Sequence, residues 1–118
     1  MRHTLTAGLV ASLVACALLA SSSGRAETDP KVVRTWKAKC SSCHAVDGNG
    51  KTETGARLGI HDMTSPAWQT KVTDAMIKQA INEGIKRPDK PEGMDPFKEK
   101  LTPEQIDQLA AFVRTLGK

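Results

Sequence analysis

The sequence predicts a small all-α domain, and three observations carry that expectation. Helix starts at Asp29-Pro30, Thr73-Asp74 and Thr102-Pro103 each pair a capping oxygen with a residue suited to a first helical turn. No stretch alternates apolar and polar residues as a half-buried strand would. The pentad Cys40-Ser41-Ser42-Cys43-His44 follows the first start closely and holds two of the chain's three cysteines and one of its three histidines, so the reactive side chains are concentrated there.

In chain order, the first quarter of the 118 residues reads as an address. Arg2 and His3 precede an apolar run over residues 5 to 20, and SSSGRA then offers small residues at Gly24 and Ala26. This layout predicts a secretory signal peptide over 1–26, cleaved after Ala26, and a mature domain over 27–118. A run of 16 residues is short of the roughly 20 that cross a bilayer core. Leu13-Val14-Ala15-Cys16 resembles a lipoprotein cleavage site. The apolar run continues past Cys16 to Ala20, however, as expected for a small hydrophobe within the leader, so lipid anchoring at Cys16 is the lesser alternative. The expected location is the periplasm.

From Asp29-Pro30 a helix is expected to carry Val32, Val33 and Trp36 on one side and Lys31, Arg34, Lys37 and Lys39 outward, running into Cys40. Two thiols three positions apart, followed at once by an imidazole, match c-type haem attachment. The thiols of Cys40 and Cys43 add to the two vinyl groups, and His44 takes the iron. A disulfide-exchange CxxC would call for an alternating strand and helix context, and a zinc site for four ligands, whereas no cysteine follows Cys43. Trp36, one turn before Cys40, is expected to pack in the core and to cover the haem edge.

After His44 the segment AVDGNGKTETGARLG has no sustained period and reads as a loop, with Gly48 and Gly50 at positive φ. Ser65-Pro66 opens a short helical turn carrying Trp68, whose N–H could serve a haem propionate if it is not simply buried. Thr73-Asp74 opens a helix with Met76, Ile77, Ala80 and Ile81 on its apolar side and Gly84 as its stop. IKRPDKPEGMDPF, with three prolines, is a structured loop. Thr102-Pro103-Glu104-Gln105 then combines cap, first-turn proline and capping-box glutamine ahead of an apolar stripe at Ile106, Leu109, Ala110, Val113 and Leu116.

Loss of Arg2 and Arg25 with the leader takes the formal charge from +4 to +2, 15 basic against 13 acidic residues, which is no nucleic-acid footprint. A 92-residue domain with two Trp, two Phe and no Tyr has little aromatic mass, so the haem is expected to act as core as well as cofactor. His44 leaves one iron position to fill, and Met63, Met76, Met94 and His61 are the available donors. Met94 is the best placed, 50 residues after His44 in the proline-braced loop, whereas Met76 reads as core filler on its helix.

Trp36 four residues before the first cysteine, CSSCH, the Gly-rich loop, TDAMIKQAINEGI, GMDPF and LTPEQIDQLAAFVRTL, in that order, resemble the class I bacterial c-type cytochromes over most of residues 29 to 117. The resemblance implies a cytochrome c fold of three to five helices wrapped around one haem c attached through Cys40 and Cys43, with terminal helices crossing so that Val33 and Trp36 approach Leu109, Phe112 and Val113. It implies His44 and Met94 as iron ligands and a monomer that carries single electrons between periplasmic or membrane redox proteins, with no catalytic residues. The alternatives are an electron-entry module of a larger dehydrogenase or oxidase complex, and a five-coordinate haem enzyme or gas sensor. The basic residues Lys86, Arg87, Lys90, Lys98 and Lys100 flank the Met94 loop as a docking collar or, with four acids among them, as a solvated surface. Two positions depart from the resemblance: Ala45 stands where glycine usually follows the haem histidine, and Gly55-Ala56 where a Gly-Pro pair often supplies a carbonyl to that histidine's N–H; a carbonyl exists at either residue, so the bond that orients the imidazole is expected to survive.

Overall fold

A computed structural model describes residues 27–118, so the expectations of a signal peptide, its cleavage and the fate of Cys16 lie outside the described residues. The chain forms α1 (Pro30–Lys39), α2 (Ser41–His44), α3 (Glu53–Leu58), α4 (Pro66–Lys71), α5 (Asp74–Glu83) and α6 (Pro103–Thr115). The all-α expectation holds; among the described residues the one extended pairing is an isolated bridge between Ile85 and Met94. The six helices exceed the expected three to five because α2 is a single turn and α3 falls inside the stretch read as a loop. That stretch has no apolar stripe to betray a helix. Its signals are at the ends: Thr52 caps the Gly55 amide, and Gly59 closes the helix in the left-handed region.

The other boundaries follow their caps. Asp29 accepts the Lys31 amide at 2.8 Å and Pro30 takes the first helical turn of α1. Thr73 accepts the Met76 amide, and the capping box of α6 is closed in both directions, Gln105 N to Thr102 Oγ1 at 3.2 Å and Thr102 N to Gln105 Oε1 at 2.9 Å. Ser65 stands at the cap position of α4 but its hydroxyl makes no capping bond. Gly48 and Gly50 adopt the expected positive φ.

The core lies where α1 and α6 meet. Val32 and Trp36 pack with Ile106, Leu109, Ala110 and Val113, and the Trp36 and Phe112 rings stand 5.3 Å apart, tilted by 59°. Val32 rather than Val33 is the buried valine of α1. On α5, Ile77 is buried and Ile81 is packed against the core, but Met76 is 50% exposed, contrary to its expected role as filler. At about 100° per residue Met76 is turned a quarter-circle from Ile77, toward solvent. Arg114 joins three helices: its guanidinium donates to Asp74 Oδ1 of α5 at 2.6 Å, to the Gln69 carbonyl of α4 at 2.8 Å and to the Val72 carbonyl. Gln69 in turn donates to the carbonyls of Met63 and Val113. Buried backbone acceptors between the helices are thus satisfied by two side chains.

Candidate functional site

The pentad is wound into helix. The His44 amide donates to the Cys40 carbonyl at 2.9 Å and the Cys43 amide to the same oxygen at 3.2 Å. Positions i, i+3 and i+4 of one turn share a face, so Cys40, Cys43 and His44 project together. The turn rests on α3 through one hydroxyl: Thr52 Oγ1 donates to the Cys43 carbonyl and accepts the Gly55 amide, both at 2.8 Å. A Cβ at Gly55 would come within 2.9 Å of the Cys43 carbonyl and 2.0 Å of the Gly50 carbonyl, so this approach requires glycine.

These three side chains line a cavity of about 360 Å³, and Met94 lines the same cavity. Leu58, Ile60, Met63, Trp68, Ile85 and Phe97 supply its apolar surface. The size falls within the roughly 300–1,000 Å³ of small-molecule and cofactor sites. Met94 is held by its main chain, whose N–H donates to the Ile85 carbonyl at 2.9 Å and whose carbonyl accepts the Ile85 amide at 2.8 Å. Of the other donors considered for the iron, His61 and Met63 also line the cavity; Met76 does not.

Burial pushes the Cys40 thiol up to about 11, against a smaller downward pull from Lys39 and a smaller push from Cys43. A thiol-exchange cysteine needs the opposite shift, toward thiolate, and both thiols of the pentad are free. Burial lowers the His44 pKa, which keeps the imidazole neutral, the form that binds a metal.

Two expectations about His44's surroundings are corrected. The carbonyls of Gly55 and Ala56 do not accept from His44: they are taken by the amides of Ile60 and Gly59 at 2.9 and 3.3 Å, the closing bonds of α3. His44 Nδ1 is buried with no hydrogen-bond partner among the described residues. Trp36 does not line the cavity; its ring stands behind His44, centroids 5.9 Å apart, and its N–H donates to the carbonyls of Ala45 at 3.2 Å and Val46 at 3.0 Å. Trp68 is half-buried and lines the cavity, where its N–H is available to a ligand.

The basic collar is partly occupied within the chain. Arg87 donates to the carbonyls of Leu58 and Gly59, Lys90 to that of Arg57, and Lys100 lies 5.4 Å from the centre of the Phe97 ring. Arg57 pairs with Glu92. Sequence reasoning missed this attachment to α3, since nothing in a run of mixed charges tells which cation reaches a helix end. Thr52 was also missed, although a threonine before Glu53 and a glycine at 59 are a legible start and stop.

A single covalently attached tetrapyrrole suits this set: two thiols and a neutral imidazole on one face of a turn, and a thioether lining the same largely apolar cavity. Fold and site define a c-type cytochrome. The family profile for "Cytochrome c" matches residues 31–117, and the chain belongs to that family, whose members are usually electron carriers rather than enzymes and whose cofactor is covalent haem c. Among solved structures it is similar to the KustC0563 c-type cytochrome, with 42% identity and a TM-score of 0.64 over 73% of this chain and 96% of that one. A mutant of KustC0563 matches similarly, at 41% identity and a TM-score of 0.62 over 72% and 96%. No curated protein matches the chain significantly.

Proposed function

We propose that the chain is a monohaem electron carrier that holds haem c through Cys40 and Cys43 and its iron between His44 and Met94. The observation that carries this reading is that one cavity collects the face of the attachment turn and the methionine of a distant loop. Bound haem c supplies a one-electron ferric/ferrous couple. The protein's part would be to hold His44 and Met94 as donors that need not move when the charge changes, and to exclude water with Leu58, Ile60 and Phe97. Met94 is favoured over Met63 because the Met63 side chain is 7% exposed and already packed in the core cluster. His61, by contrast, is an exposed side chain at the rim.

The apolar run of residues 5 to 20 supports export, and with it a periplasmic carrier serving other redox proteins as a monomer. No helix among the described residues is long and apolar enough to cross a membrane. The test is Met94→Ala. The far-red methionine-to-iron band of the oxidised protein should vanish, carbon monoxide should bind the reduced protein, and the reduction potential should fall because the thioether favours the ferrous state. An unchanged spectrum would hand the role to Met63 or His61.

A further inference from the structure

The arm between Ile85 and Met94 has little backbone structure of its own. The Ile85–Met94 pair closes its base, and among residues 86 to 93 the one backbone bond runs from the Lys90 amide to the Arg87 carbonyl at 3.4 Å. Pro88 and Pro91 remove two further donors. The rest of its attachment runs sideways to α3. A helix end leaves its last carbonyls unpaired. Here those of Gly55 and Ala56 are taken by the closing amides, while those of Arg57, Leu58 and Gly59 face the arm. The Arg87 fork donates to Leu58 and Gly59, Lys90 Nζ to Arg57 at 3.0 Å, and Glu92 pairs with the Arg57 side chain. The Arg57–Glu92 pair is more than half exposed on both sides and contributes little. Arg87 is half-buried at the cavity rim, and its rigid planar fork serves two successive carbonyls in a fixed geometry that a flexible ammonium does not impose. At its other end α3 is tied to the attachment turn by Thr52. A continuous path thus runs from the Cys43 carbonyl through α3 and Arg87 to the arm that ends at Met94.

We propose that Arg87 is a positioning residue that clamps the Met94 arm to the end of α3 and so sets how often Met94 leaves the iron. This rests on Met94 as the distal ligand. Without the fork, the arm keeps its base pair but loses its lateral hold, and the population with the thioether withdrawn rises. Carbon monoxide reads that population directly, because it takes the iron only when the thioether is off and its apparent affinity scales with the competent fraction.

The experiment compares wild type, Arg87→Ala, Arg87→Lys and Met94→Ala holoproteins by carbon monoxide titration of the reduced form, by the far-red band of the oxidised form, and by urea unfolding followed through helix signal. Loss of hydrogen bonds from a charged donor should tighten apparent carbon monoxide affinity about tenfold or more in Arg87→Ala. Its far-red band should vanish at lower urea than its helix signal. Arg87→Lys should resemble Arg87→Ala, and carries the test alone if Arg87→Ala does not accumulate with haem. Carbon monoxide affinity within twofold of wild type overturns the proposal, even if both urea transitions move down together, since that is a purely structural role. If Met94→Ala itself leaves the band and carbon monoxide affinity unchanged, the ligand assignment fails instead.

Discussion

Ala45 carries a φ of 69° and a ψ of 161°, the one non-glycine residue with positive φ among the described residues. That region is essentially reserved for glycine, and holding another residue there costs on the order of 1–3 kcal/mol. The position directly follows His44, and the Trp36 N–H bonds to its carbonyl and to that of Val46, which fixes the strained turn from behind. Ala45→Gly relieves the strain but adds chain entropy worth about 0.5–1 kcal/mol, so a net gain of about 1 kcal/mol is expected. Thermal unfolding of the holoprotein should shift upward by roughly 4–8 °C. An unchanged or lower midpoint would mean that the turn is not strained in solution. The departure from glycine at this position was legible in the sequence; that it costs something is a backbone angle, set by how the pentad's turn must end to feed the loop at Gly48.

Among the elements, α4 to α6 are joined by polar side chains as well as by the apolar contacts of Ile77, Ile81 and Trp68 with the core. Arg114 reaches Asp74, the carbonyls of Gln69 and Val72, and the Gln69 side chain, and is 27% exposed. Arg114→Ala leaves two part-buried carbonyls without their donor and should cost about 1–2 kcal/mol in urea unfolding. Asp74→Ala should cost well under 1 kcal/mol, because that carboxylate is 68% exposed. Equal losses would show that the ion pair, not the backbone bonds, holds the junction. The sequence marked α1, α4, α5 and α6 by their caps, and α6 most fully because both halves of its capping box lie in four consecutive residues. α3 escaped because its six residues include Gly55 and face a turn rather than the core, so no hydrophobic period could form. Met76 shows the converse error: spacing puts it with Ile77 and Ile81, but whether the edge of a stripe is covered depends on what packs beside it.

For the whole molecule, nine side chains are buried among the described residues, and none of these is polar or charged. That is a thin core for a domain of this size, and the cavity beside it is lined by more apolar side chains than the core itself contains on α1 and α6. Cys40→Ser with Cys43→Ser should therefore give a colourless chain without a cooperative thermal transition and with reduced helix signal. Native-like helix content with sharp unfolding in that variant would show that the protein core suffices alone.

Residue types at close spacing settled the all-α class, the attachment pentad and its haem chemistry, because capping and a five-residue motif are local and need no partner. What only the tertiary structure decided is long-range: that Met94, 50 residues away, lines the same cavity as His44, that the Gly55 and Ala56 carbonyls close a helix instead of serving that histidine, and that Arg87 grips the end of α3. Each depends on which unpaired backbone group finds which donor after the chain has folded back on itself, and one-dimensional spacing does not carry that information.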